Sequence, residues 1–267
     1  MPTVDVEGLS IHYDQRGAGP EVVLLHGIGG NTKLWRYQLE GLSDEFRVTA
    51  WDAPGYGGSD DPEGGEWTLA DYAERLAGFL DALGIERAHI IGQSWGGVLA
   101  QEFYRAYPER FISLVLSDTY AGGRAGPEEE RQATLQARLN ALDTMTPGEM
   151  ARQRVHALVM PDAPEELIAE IQAVLAEIHS PGYRMAAIAL ADANTLDVQP
   201  TIAVPTLITA GDHDQIRPPV SAHEMHATIP GSRLVVIENA GHLPCVERYE
   251  VYNAAVRDFL AEVGATV

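Results

Sequence analysis

The sequence predicts an α/β fold, a mostly parallel sheet flanked by helices and interrupted by an all-helical cap insertion. Three observations predict it. Short, continuously apolar runs (Val22 to Leu25, Ala88 to Ile91, Phe111 to Leu116) have the length and character of strands buried on both faces. Between them stand stretches with helical spacing, such as Leu69, Tyr72, Leu76, Phe79, Leu80 and Leu83. From Tyr120 to about Gln199 strand-like runs vanish, and helical segments are separated by Pro127, Pro147, Pro161, Pro164 and Pro181-Gly182. The expected organisation is a core of residues 1–119 and 200–267 with a helical cap at 120–199.

Each element follows in order. Thr3 to Val6 and Leu9 to Asp14 alternate apolar and polar residues about Glu7-Gly8, the pattern of a hairpin. After the turn residues Arg16 to Pro20, Val22 to Leu25 forms a buried strand. It runs into His26-Gly27-Ile28-Gly29-Gly30-Asn31, a flexible loop in this reading, with Asn31 capping a helix that ends near Gly41. Phe46 to Trp51 is a strand and Asp52 to Ser59 a long turn. Thr68 to Leu83 is an amphipathic helix stopped by Gly84. The strand Ala88 to Ile91 leads through a tight turn to a helix closed by Pro108, and Phe111 to Leu116 is the next strand. Beyond the insertion, Pro205 to Ala210 and Leu234 to Ile237 are strands, Pro219 to Ile229 a helix, and Pro244 to Val263 a single last helix.

The net charge of −21 on 267 residues argues against nucleic acid or an anionic membrane surface as partner, and favours solubility. Hydrophobic residues, 45% of the chain, suffice for a substantial core. A lone cysteine, Cys245, leaves no internal disulfide and points to a reducing cytoplasm. Met1 to Val6 lacks the basic and apolar segments of a signal peptide, and no apolar run approaches a membrane span. No His/Cys/Asp spacing suggests a metal, and neither a Gly-Lys-Ser/Thr ending nor G-x-G-x-x-G suggests a nucleotide, so no cofactor is expected. The expected partner is a small molecule, with homo-oligomerisation left open.

Gly92-Gln93-Ser94-Trp95-Gly96 stands between a predicted strand and a predicted helix, the setting of a nucleophile elbow. A serine hydroxyl is a weak nucleophile at neutral pH, so it needs a base, and the base needs an orienting acid. His242 follows the last predicted strand and is the candidate base. Asp214, in the loop after the penultimate strand, is the candidate acid. Asp118, closing the strand before the insertion, is the alternative acid, and Asp212 has a turn role. The developing oxyanion needs two donors, and the backbone N–H groups of Ile28 and Trp95 are placed to supply them. Cys245, three residues beyond His242 at a predicted helix start, is either a favoured thiolate or a packing residue.

The elbow, His26-Gly27-Ile28-Gly29, the Asp52-x-Pro-Gly-x-Gly-x-Ser59 turn, Gly211-x-x-Asp214 and Gly241-His242 together resemble the α/β-hydrolase fold superfamily over residues 1–118 and 200–267. That resemblance implies a serine hydrolase acting through an acyl-enzyme. Haloalkane dehalogenases and epoxide hydrolases carry aspartate where Ser94 stands, which sets their chemistry aside, and the Trp95 side chain is expected to wall the pocket. The chain is most similar to 3-oxoadipate enol-lactonases and carboxylesterase members, through Leu116-Ser117-Asp118-Thr119 and through Gly182-Tyr183 leading to Ala187 and Asp192. An anionic lactone needs basic partners, and Arg124, Arg131, Arg138 and Arg184 are the candidates in the cap. The resemblance implies cleavage of a carboxylic ester or lactone. The alternatives are a meta-cleavage C–C hydrolase, a cofactor-free perhydrolase and a ligand-binding receptor on a hydrolase scaffold.

Overall fold

The computed structural model describes residues 2–62 and 64–265. Met1, Glu63, Thr266 and Val267 lie outside the described residues, and with them the outermost ends of the expected core segments. The strands are β1 (Thr3–Val6), β2 (Leu9–Arg16), β3 (Glu21–Leu25), β4 (Arg47–Trp51), β5 (Ala88–Gln93), β6 (Phe111–Ser117), β7 (Thr206–Gly211) and β8 (Arg233–Ile237). They form one sheet in the order β1-β2-β4-β3-β5-β6-β7-β8. β2 pairs antiparallel with β1 and β4, and every later pairing is parallel.

The continuous apolar runs are explained by helices on both faces. Val23, Leu25 and Ile90 enter one core with α2 (Leu69–Ala82) and α3 (Trp95–Ala106). Val22, Leu24 and Ile91 enter the other with α1 (Arg36–Gly41), so neither face of these strands meets water. Between β6 and β7 the described chain forms helices only: α4 (Glu128–Thr144), α5 (Pro147–Leu158), α6 (Glu165–Leu175) and α7 (Ser180–Asp192), with a short 3-10 turn at each end. Four of the prolines there mark helix starts, since Pro127 and Pro164 are N-caps while Pro147 and Pro181 lie in first turns; Pro161 lies in the turn between α5 and α6. α4 buries no side chain fully, whereas α7 buries Tyr183, Ala186, Ala187 and Leu190.

After β7, α8 (Pro219–Thr228) packs in the first core. The expected single last helix is two: α9 (Pro244–Glu247) and α10 (Tyr249–Gly264), broken at Arg248 with φ −127 and ψ 40. The Cys245 carbonyl accepts from the Gln38 Nε2–H at 2.8 Å rather than from the next helical turn. Among the described residues, no helix is long and apolar enough to cross a membrane.

β3 lies between β4 and β5, so the winding runs outward from β3 in both directions. The loops leaving β3 and β5 therefore part to opposite sides and open a crevice at the strand carboxyl ends. Ser94 stands at that crevice, and Asp118, Asp214 and His242 follow β6, β7 and β8 at the same edge.

Candidate active site

Ser94 has φ +52 and ψ −115, a strained conformation for a residue with a side chain, at the N-cap of α3. Its N–H donates to the Ser117 carbonyl at 2.9 Å, and its carbonyl accepts from the Thr119 hydroxyl at 2.6 Å. The flanking glycines are forced. A Cβ on Gly92 would lie 2.4 Å from the Gly96 carbonyl oxygen, and one on Gly96 would lie 2.2 Å from that of Leu25. These are backbone obstacles that cannot yield, so the turn exists only with small residues two positions either side of Ser94.

His242 Nδ1–H donates to Asp214 Oδ2 at 2.7 Å, with both side chains buried. The other Asp214 oxygen accepts the N–H groups of Ile216 and Arg217 at 2.7 and 2.9 Å, which fixes the carboxylate plane. With Nδ1 donating, Nε2 is the free basic nitrogen of the neutral ring. Ser94 and His242 line one cavity of about 30 Å³, together with Gly27, Ile28 and Leu158.

Two residues that hold the histidine loop carry no motif. Gln93 donates from Nε2 to the His242 carbonyl at 2.9 Å. Glu247 accepts from Gly241 N–H at 2.8 Å and from Met160 N–H at 2.6 Å, tying the loop to the helical segment, and burial raises its pKa. Sequence offers only a hint for Gln93, its place inside the elbow, and none for Glu247.

Asp118, the alternative acid, is also at the site but makes no hydrogen bond to His242. Its Oδ1 accepts from Gly211 N–H at 2.8 Å, and its Oδ2 lies 2.9 Å from the Ser117 hydroxyl. Asp118, Asp214 and His242 offer atoms within 4.8 Å of one another, a spacing a metal ion can use. The 2.7 Å contact between His242 and Asp214 is a hydrogen bond with no room for an ion, and the second Asp214 oxygen is committed to backbone N–H groups. Asp212, expected to have a turn role, instead ties the loop after β7 to the loop after β8, accepting from Ala240 N–H at 3.2 Å.

The loop after β3, expected to be flexible, is pinned. His26 Nε2 accepts from Ala53 N–H at 3.1 Å, so its proton is on Nδ1, which donates to the Gly27 carbonyl at 2.9 Å. Burial lowers the His26 pKa and keeps the ring neutral. Asp52 accepts from Thr32 N–H at 2.7 Å, Gly58 N–H at 2.8 Å and His12 Nδ1–H at 2.6 Å. Neither the Ile28 nor the Trp95 N–H donates to an acceptor among the described residues. The Trp95 side chain does not wall the pocket. It is fully buried against Tyr72 and Tyr56, with ring centroids at 5.1 and 5.8 Å, because its position on α3 directs it into the first core.

The arginines expected over the site divide sharply. Arg124 and Arg131 pair with Asp192, and Arg184 with Asp143, so those three have carboxylate partners, although the Arg131 side chain, 10% exposed, also lines the larger neighbouring cavity. Arg138 faces the Ser94 cavity, and so does Arg154, which the sequence reading did not single out. Among the described residues neither pairs with a carboxylate, and Arg154 donates to the Tyr183 hydroxyl. Arg138 also lines a neighbouring cavity of about 380 Å³ that contains Arg217, whose guanidinium lies 3.4 Å from the Tyr120 ring centroid. Burial lowers the Arg138 pKa, and the positive charges of Arg154 and Arg217 push the same way. Cys245 packs in the second core, and burial pushes its thiol well up, so it is not a favoured thiolate.

Residues 20–249 match the family model described as the alpha/beta hydrolase fold. A poly(3-hydroxyalkanoate) depolymerase from Ectopseudomonas oleovorans is 29% identical over 265 residues, covering 97% of this chain and 92% of that one. A thermophilic esterase from Thermogutta terrifontis superposes with a TM-score of 0.90 at 31% identity, covering 98% of each chain. The enol-lactonase from Burkholderia xenovorans LB400 superposes with a TM-score of 0.89 at 27% identity, covering 97% of this chain and all of that one. The elbow geometry, the sheet order and these similarities agree: the chain belongs to the alpha/beta hydrolase fold family and is a hydrolase.

Proposed function

We propose that this hydrolase cleaves a carboxylic ester or lactone whose substrate carries a carboxylate, through Ser94, His242 and Asp214. The observation that carries the reading is the oriented Asp214–His242 pair sharing one cavity with an elbow serine. His242 Nε2 takes the Ser94 proton as the hydroxyl oxygen attacks the carbonyl carbon. The Ile28 and Trp95 N–H groups, without an acceptor among the described residues, stabilise the oxyanion. Collapse expels the alkoxide, which takes the proton from His242. Water, deprotonated by the same nitrogen, then attacks the acyl-enzyme and releases the acid.

The substrate charge rests on Arg138 and Arg154. The chain holds 39 acidic residues against 18 basic ones, yet these two cations facing the cavity pair with no carboxylate among the described residues. Keeping guanidinium groups partly buried and unpaired is costly unless a ligand supplies the anion. The Thermogutta terrifontis esterase was studied with malate, a dicarboxylate, bound. A cavity of about 30 Å³ holds little more than a water. Arg138 stands where it meets the larger cavity, so a substrate would displace that side chain and occupy both.

We read residues 120–199 as the cap and the enzyme as cytoplasmic, its partner a small molecule. Ser94→Ala should abolish both ester turnover and labelling by a fluorophosphonate. Retained turnover would refute the mechanism. Hydrolysis of vinylogous diketones with simple esters inert would move the reading to C–C bond cleavage by the same residues.

A further inference from the structure

Asp118 is a buried carboxyl group beside the Asp214–His242 pair that the mechanism leaves unused. It closes β6 with φ +48, a left-handed conformation that costs energy for a residue with a side chain. Its N–H donates to the Thr209 carbonyl at 2.9 Å, and its Oδ1 accepts from Gly211 N–H at 2.8 Å. Both contacts clamp the end of β7, and the Gly211 carbonyl in turn accepts from Asp214 N–H at 3.2 Å. The side chain is 1% exposed. The titratable groups facing it are Asp214 from the β7 loop, His242 from the β8 loop, Cys245 and Glu247 from α9, and Tyr252 from α10. No lysine or arginine is among them. His242 already serves Asp214, so a second ionised carboxylate there has no counter-charge.

We propose that Asp118 is a positioning residue in its neutral, carboxylic-acid form, clamping the turn that presents Asp214 and leaving Asp214 the single anion behind His242. Two carboxyl groups this close in a dry site do not both ionise. Asp214 accepts two backbone N–H groups and the imidazole N–H, whereas Asp118 accepts one backbone N–H and meets only the Ser117 hydroxyl besides. The Ser117 hydroxyl, 2.9 Å from Asp118 Oδ2, can donate to the carboxylate or, by rotating, accept from the carboxyl O–H of the neutral form. Burial and the Asp214 charge both push the Asp118 pKa well up, in the same direction.

The proposal rests on the reading of Asp214 and His242 as the working pair, and the test separates the two. The assay is the pH profile of kcat/KM on an ester that the wild type turns over. Asp118→Ala should lose kcat by about tenfold or more with little change in KM, and Asp118→Asn should recover most of it. In Asp118→Asn the acidic limb should keep the wild-type midpoint. Were Asp118 ionised, removing a charge within 4.8 Å of His242 would move that midpoint down by about two pH units and overturn the proposal. Full kcat in Asp118→Ala would also overturn it. A wild-type measurement covers variants that fail to fold: the backbone-assigned side-chain carboxyl ¹³C signal of Asp118 should hold the protonated position from pH 6 to 8, and an ionised position refutes the idea. If Asp214→Asn stays active, the underlying triad reading has failed. If it is dead while the Asp118→Asn midpoint shifts, only the Asp118 proposal has.

Discussion

Replacing Arg138 by glutamine should change which esters the enzyme prefers without unfolding it. The guanidinium is half-buried, faces the Ser94 cavity and has no carboxylate partner among the described residues. A charge-assisted hydrogen bond to a substrate carboxylate contributes about 1.5–3 kcal/mol, below the roughly 4 kcal/mol that two unit charges 4 Å apart gain in a partly screened site. Losing it therefore lowers kcat/KM for a carboxylate-bearing ester about 10- to 150-fold. A neutral ester of the same size has no such contact and should change by less than about threefold. The assay is the ratio of the two kcat/KM values in wild type and variant. Stability should move the other way, because the substitution removes a cation repelled by Arg154 and Arg217. Small dicarboxylates should raise the wild-type Tm and leave the variant's nearly unmoved. Equal losses for charged and neutral esters, or no stabilisation of the wild type by any dicarboxylate, would refute the assignment of these arginines to substrate charge.

Other expectations follow from the geometry. Gly96→Ala places a Cβ 2.2 Å from the Leu25 carbonyl oxygen, so the elbow must distort and activity should fall below detection in the same ester assay. Gln93→Leu leaves the buried His242 carbonyl without its donor, a penalty of about 1–3 kcal/mol, and should lower kcat more than it changes KM, as steady-state kinetics would report. Burial pulls the His89 pKa from 6.5 to about 4, so the unfolded chain binds a proton there that the folded one refuses. That contribution is complete at neutral pH and is lost as pH falls from 6.5 towards 4. His89→Gln should therefore lessen the loss of unfolding free energy between pH 7 and 4.5 by about 2–3 kcal/mol in denaturant melts.

The sheet was legible because strands buried on both faces must be apolar at consecutive positions, as Val22 to Leu25 and Ile90 to Ile91 are. The elbow was legible because the turn tolerates only small residues at 92 and 96, which leaves a fixed local pattern. The break at Arg248 was not, because Gln38, 207 positions earlier in the chain, takes the Cys245 carbonyl. The Trp95 side chain was misdirected for a related reason. Adjacency to Ser94 in sequence says nothing of which way a helix face turns once it packs.

That Ser94, His242 and Asp214 lie together could be read from the chain alone, since each follows a strand whose carboxyl end the parallel sheet brings to one edge. Which of two aspartates meets the histidine was decided only in three dimensions. Asp118 and Asp214 both lie close to His242, and a single 2.7 Å contact distinguishes them. The same holds for the arginines. Arg124, Arg131, Arg138 and Arg184 are alike as residues, but among the described residues three pair with carboxylates and Arg138 does not. Local backbone geometry writes itself into short sequence patterns, whereas charge pairing depends on which groups from distant segments come within a few ångströms, and that is settled by the folded packing.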